Sequence, residues 1–226
     1  MLGKLVGAAV FGALMAGVAH AETFRIGLSN SFVGSEWRTQ MIEEAQAAAA
    51  AWKDKGVDVE VVVQSGDVDV QGQIGHIRNF INQGVNAIII NPGSPTAFSP
   101  VFAQAKARDI LVIATDAEVA SKDAIYVGID QKAWAAQSAE WLAEALGGKG
   151  NLVTINGIAG NPANEARVAG YREVFAQHPD IKILNEANAN WDQAQGQQTM
   201  QNLLATYPDI QGCLLYTSPS PRDATL

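Results

Sequence analysis

Asparagines, aspartates, serines and a few large aromatics gather in short polar segments, each directly after an apolar run. Ser29-Asn30-Ser31-Phe32 follows the first run, with Ser35-Glu36-Trp37-Arg38 close behind. Ser65-Gly66-Asp67, Asn91-Pro92-Gly93, Thr115-Asp116 and Asp130 follow the next four. Further on stand Asn156-Gly157, Asn161, Asn164, Glu165 and Arg167, then Asn190-Trp191-Asp192. Carboxylates and amides bond neighbouring hydroxyls in pairs, and an aromatic face covers the C–H side of a sugar ring. The set contains no nucleophile beside a base and no metal-ligand cluster. It is a binding chemistry for a neutral polyol, and it calls for neither a catalytic residue nor a cofactor.

Each of these residues also has a plainer reading. Asn and Asp after strands are ordinary helix caps and turn formers. Asn91-Pro92-Gly93 reads as a turn, Asp67 and Asp69 as acids at a helix start, and Trp37 as a core residue. Glu165 and Arg167 read equally well as solvated helix charges. Capping does not explain the lone aromatics Phe32 and Trp191, which both fall in loops after strands.

The elements that must position these residues alternate strand and helix. Strands are expected over 24–29, 57–64, 87–90, 110–114, 125–129, 152–155 and 181–184, with another beginning at 210. Helices are expected over 37–55, 70–83, 95–108, 134–146, 164–177 and 192–205. Met41, Ala45, Ala48 and Trp52 share one face of the first helix, and Ile74, Ile77 and Ile81 one face of the second. Gly56 and Gly84 stand where helices end in left-handed backbone. This alternation predicts an α/β fold of doubly wound parallel sheets, in which ligands sit beyond the carboxyl ends of the strands. Residues 22–130 form a first lobe and 131–212 a second, by the count of βα units.

The ends of the chain differ from this pattern. Met1 to Lys4, an apolar run over 5–19 and the small-x-small site Ala19-His20-Ala21 form an export signal cleaved after Ala21. The run is short for a membrane span, so an exported protein that is not membrane-embedded is expected. Residues 213–226 hold the single cysteine, Cys213, with two prolines in a serine-rich stretch. They read as a non-native tail of translated adapter type. A net charge of −8 argues against nucleic acid and anionic surfaces. One cysteine forms no intrachain disulfide, and His20, His76 and His178 are too scattered for a zinc site.

In order and spacing the chain resembles the periplasmic sugar-binding proteins of bacterial ABC importers, the ribose-binding and galactofuranose-binding group. The resemblance covers residues 24–212. It rests on Ile26-Gly27-Leu28-Ser29 with Ser35-Glu36-Trp37-Arg38, on Gly84-Val85-Asn86-Ala87-Ile88-Ile89-Ile90-Asn91-Pro92, and on Val112-Ile113-Ala114-Thr115-Asp116. Gly157-Ile158-Ala159-Gly160, Arg167-Val168-Ala169-Gly170-Tyr171 and Trp191-Asp192 complete it. It implies a type I periplasmic binding protein, two lobes hinged around a monosaccharide, with Phe32 and Trp191 flanking the ring and Asp116 accepting from hydroxyls. The ligand-binding set is then Asn30, Phe32, Glu36, Trp37, Arg38, Asp116, Asn164, Arg167 and Trp191. Ala117 and Glu165 stand where ribose-type members carry arginine, which argues against ribose. The implied partners are an ABC permease and a chemoreceptor, and the implied state is a periplasmic monomer. The family continues with further βα units, so the second lobe is expected to be incomplete here. The rival ligands are a signalling furanone or another polyol. A ligand-sensing repressor core is a further rival, but an export signal stands where its DNA-binding helices belong.

The cleavage site generates a first prediction. N-terminal sequencing of periplasmic material is expected to begin at Glu22. Recovery of Met1 in a membrane fraction would refute the reading of residues 1–21.

Overall fold

The computed structural model describes residues 23–216, so residues 1–22, with the expected export signal, and residues 217–226 lie outside it. Its strands are β1 (Phe24–Asn30), β2 (Val59–Ser65), β3 (Ala87–Asn91), β4 (Leu111–Thr115), β5 (Ile125–Val127), β6 (Gly150–Asn156), β7 (Ile181–Asn188) and β8 (Gly212–Leu215). The helices are α1 (Glu36–Lys53), α2 (Val70–Gln83), α3 (Ser99–Lys106), α4 (Gln131–Ala145), α5 (Pro162–Phe175) and α6 (Gln193–Thr206).

The strands form two parallel sheets. The first has the order β2-β1-β3-β4-β5 and the second β7-β6-β8. In each sheet the chain moves to one side of a central strand and then returns to the other. That reversal creates a switch point between β1 and β3, and another between β6 and β8. Because parallel crossovers are right-handed, it also puts α1 on the face opposite α2 and α3.

The α2 and α3 face holds the tighter core. Ile77, Phe80, Ile88, Ile90 and Phe102 are fully buried there, each contributing about 1.5–3 kcal/mol. Ile74, Ile77 and Ile81 face inward as their spacing predicts. A second core joins Leu152, Tyr171 and Phe175 to Ala135, Ala139 and Ala143 of α4.

Several elements differ from expectation for physical reasons. On α1 the buried residues are Arg38 and Ala49, while Trp52 is 51% exposed beneath Lys55 Nζ. A polar anchor rather than the apolar stripe sets that helix's rotation. Helix α3 starts at Ser99 instead of 95, because the Ser94 hydroxyl accepts from the Thr96 and Ala97 amides in a separate turn and Pro100 takes the first helical turn. Strand β7 runs on through Asn185 and Glu186. Polar residues are tolerated at a sheet edge, and a register irregularity at Leu152 and Val153 keeps the pairing. Helix α4 starts at Gln131 rather than 134, because Asp130 caps it by accepting from the Ala133 amide. Strand β8 corrects the reading that closed the pattern at Gly212. Cys213, Leu214 and Leu215 pair with β6, and Leu214 is buried against the second core.

Helices α4 and α5 meet at Gly170. A Cβ there would stand 2.3 Å from the Lys132 carbonyl oxygen, which is backbone in the first turn of α4 and has little room to yield. Gly170→Ala is expected to cost about 1–3 kcal/mol through overpacking, read as a lower denaturation midpoint. An unchanged midpoint would show that the two helices separate without cost.

Candidate functional site

Asn30 and Asn91 end β1 and β3 side by side in register, and both are buried. They mark the first switch point. Asn30 Nδ2 donates to Ser65 Oγ at the end of β2. Gln73 of α2 clamps the next loop, donating to the Asn91 carbonyl at 2.8 Å and accepting from the Gly93 amide at 2.9 Å. Asp116 follows β4 in left-handed backbone, φ 65°, a conformation that aspartate tolerates better than most residues. Its Oδ2 accepts from Asn91 Nδ2 at 3.2 Å and lies 3.6 Å from Arg38 Nη2. Arg38 Nη1 donates to Asn30 Oδ1 at 3.5 Å. Asn91, which the sequence assigns to a turn, is therefore part of this cluster.

Arg38 is only 5% exposed. Burial pushes its pKa down to about 10, Asp116 opposes that shift, and Arg167 adds to it. The guanidinium stays charged at neutral pH. The Trp37 ring lies 4.7 Å from Arg38 Cζ, within cation–π range. Trp37 is 48% exposed, which corrects its reading as core.

The second sheet edge is built by Asn156, Gly157 and the start of α5. Asn161 caps α5 by accepting from the Ala163 amide, and Pro162 occupies its first turn. Buried Asn164 accepts from the Gly157 amide at 2.7 Å and donates to Glu165 Oε1 at 3.3 Å, so both ends of its amide hold the 157–165 loop. Glu165 Oε1 also accepts from the Gly160 amide. Trp191 lies in left-handed backbone, φ 57°, with its indole packed against Gly157, where a Cβ would come within 2.1 Å of the ring. Asn156 Oδ1 and Trp191 Nε1 are buried with no hydrogen-bond partner among the described residues.

Arg167 reaches from α5 toward the first sheet. Its guanidinium carbon lies 4.8 Å from the Trp134 ring centroid and 5.9 Å from that of Trp191. Burial lowers its pKa, and Asp116 acts in the opposite direction. Between Arg167 and Asp116 stands Gln131. Its Nε2 donates to the Asp116 carbonyl at 2.8 Å and to Oδ1 at 2.9 Å, and its Oε1 accepts from Arg167 Nε at 2.8 Å. Placing the helix start at Trp134 hides this residue. The signal that reveals it is Asp130 as a cap, which puts Gln131 in the first turn.

Asn30, Trp37, Arg38, Asp116, Arg167 and Trp191 thus belong to one connected set through Asn91 and Gln131. Asn164 supports it from the loop. Phe32 is half-buried, its ring packed against Gly34. Glu36 is exposed, and its side chain makes no hydrogen bond or ion pair among the described residues. Asp130 and Asp192 act as helix caps, as their plainer reading holds. A cavity of about 730 Å³ opens between the loops after β4 and β5 and the start of α5, lined by Pro95, Glu118, Tyr126, Gln131, Pro162 and Glu165. It meets the set at Gln131. Among the described residues no group of three or more His, Cys, Asp or Glu is placed to hold a metal, and no helix is long and apolar enough to cross a membrane.

Known proteins resemble this chain in sequence and fold. The chain is 33% identical over 196 residues to the xylitol-binding protein of Mycolicibacterium smegmatis, covering 86% of this chain and 54% of that protein. It is 29% identical over 199 residues to the galactofuranose-binding protein YtfQ of Escherichia coli, covering 85% and 60%. It therefore spans little more than half the length of these relatives. Among solved structures, a periplasmic solute binding protein of an ABC transporter from Actinobacillus succinogenes, with bound D-allose, superimposes with a TM-score of 0.73 at 31% identity, covering 84% of this chain and 68% of that one. The periplasmic binding component of the arabinose ABC transporter from Shewanella sp. ANA-3, bound to L-arabinofuranose, gives 0.75 at 26% identity, covering 89% and 70%. The periplasmic binding protein domain matches residues 26–222, past the Gly212 limit expected from sequence, and the chain belongs to that family.

Proposed function

We propose that this chain belongs to an exported substrate-binding protein that takes a monosaccharide or related polyol between two α/β lobes, one over 22–130 and one running from 131 through β8, and delivers it to an ABC permease. The observation that carries this reading is the polar set at the carboxyl ends of both sheets, with charges and indole rings interleaved. Asp116 supplies acceptor lone pairs, Arg38 and Arg167 supply donors in planar forks, and Trp37 and Trp191 supply flat apolar faces. A sugar presents the same alternation, since each hydroxyl both donates and accepts and the ring carbons carry C–H bonds. Phe32, beyond β1, is the further aromatic in this reading, and Asn30 and Asn164 hold the loops on either side. The relatives named for xylitol and galactofuranose, and those solved with D-allose and L-arabinofuranose, support a small polyhydroxylated ligand. The periplasm, a chemoreceptor partner and a monomeric state belong to the same proposal.

Thermal shift against xylitol, D-allose, L-arabinose and galactofuranose tests the reading, because a ligand that binds the folded state raises the unfolding midpoint by mass action. For whichever sugar binds, Asp116→Ala is expected to weaken affinity by about 1–3 kcal/mol by calorimetry, the cost of leaving buried polar partners unpaired. Phe32→Ala and Trp191→Ala are expected to weaken it as well. Unchanged affinity in all three would place the site elsewhere. Gly157→Ala is a separate check. Its new methyl has to displace the Trp191 indole, so tryptophan fluorescence should shift and affinity should fall together.

A further inference from the structure

We infer that Gln131 is the positioning residue that fixes the distance between the ligand groups of the two sheets. This rests on the sugar-binding reading above. Gln131 stands on the connection between the sheets, directly after the Asp130 cap, and is 5% exposed. One planar amide meets both sides. Its two N–H bonds go to Asp116, carbonyl and Oδ1, and its oxygen takes the Arg167 Nε–H. The carboxylate is therefore held at Oδ1 by Gln131 and at Oδ2 by Asn91 and Arg38. Arg167 is held at Nε and over the Trp134 face. Its two terminal nitrogens make no hydrogen bond among the described residues and are free for another acceptor.

Only a side chain that both donates and accepts can fill this place. A glutamate would hold Arg167 but set a second carboxylate against Asp116. A lysine would hold Asp116 but repel Arg167. A hydrophobe would leave both groups unheld, and unpaired buried polar groups are costly. The amide joins an acid and a base without pairing them directly, so neither is neutralised by the other before a ligand arrives.

The test combines a ligand-free readout with a ligand readout. In the ¹⁵N-labelled wild-type chain, the Arg167 Nε–H should exchange slowly with solvent. In Gln131→Ala it should exchange roughly 10-fold faster or more, as expected for loss of a hydrogen bond to a charged group. In Gln131→Glu it should stay protected. Titration with xylitol, D-allose and L-arabinose should then show roughly 10-fold or greater weakening in both variants. The pattern of protection kept but affinity lost in Gln131→Glu is one that a merely structural role does not produce. Should Gln131→Ala fail to fold, Gln131→Glu still decides. Unchanged Arg167 exchange in Gln131→Ala, or full sugar affinity in either folded variant, would overturn the inference. If no sugar binds the wild type, the sugar reading fails, and the exchange measurements alone judge whether Gln131 holds Arg167.

Discussion

A guanidinium taken out of water must be met by an anion, and the first sheet is arranged around that requirement. Arg38 is buried on α1, and breaking such a pair by removing one partner costs about 3–5 kcal/mol. The demand fixes the rotation of α1. Arg38 and Ala49 turn inward, and Trp52 is left outside although its spacing matches the apolar stripe. It also fixes the end of β4. Asp116 must leave the strand in left-handed backbone to bring its carboxylate back toward Asn91 and Arg38. Asn30 and Asn91 then fill the remaining valences, which ties β1, β3 and α1 to one ionic centre.

The second guanidinium is held by different means. Arg167 has no carboxylate within ion-pair distance among the described residues, and aromatic faces and a neutral amide carry it instead. An aromatic quadrupole stabilises a cation without cancelling its charge. Trp191 reaches that position only at a backbone cost. A left-handed conformation is unfavourable for a side-chain-bearing residue by about 1–2 kcal/mol, and Asn190 beside it adopts the same one. Gly157 is what makes the arrangement fit, since any side chain there would strike the indole.

The βα alternation and most helix ends were legible from sequence because they depend on local chemistry. Gly84 closes α2 in left-handed backbone, and Asp69 caps its start, as their residue types predict. The positions of Asp116, Arg167 and Trp191 after strands or at a helix start were legible for the same reason. Failures came where a tertiary interaction outweighed a local pattern. Trp52 looked inward by periodicity, but Arg38 decided the helix face. Asn185 and Glu186 looked like a strand end, but an edge strand accepts them. Gln131 was invisible because no periodicity marks a buried amide. Its role exists only once Asp116 and Arg167 are brought to either side of it.

The two sheets repeat one βαβαβ plan, β2-β1-β3 and β7-β6-β8, and the repeat shows what each edge contributes. Asn30 ends the central strand of the first unit and Asn156 that of the second. Both are buried, yet their bonding differs. The Asn30 oxygen accepts from Arg38 within its own sheet's cluster, whereas Asn156 Oδ1 has no partner among the described residues. Trp191 Nε1 on the same edge is also unpartnered. Unmet buried polar atoms cost about 1–3 kcal/mol each, so a fold that keeps an acceptor and a donor unmet at one sheet edge gives up stability there. One edge thus holds charges already steadied by their neighbours, and the other holds an acceptor and a donor buried without partners among the described residues. A ligand that met both Asp116 and Arg167, which one amide bridges, would have to donate to the first and accept from the second. A polyol meets that condition at every hydroxyl.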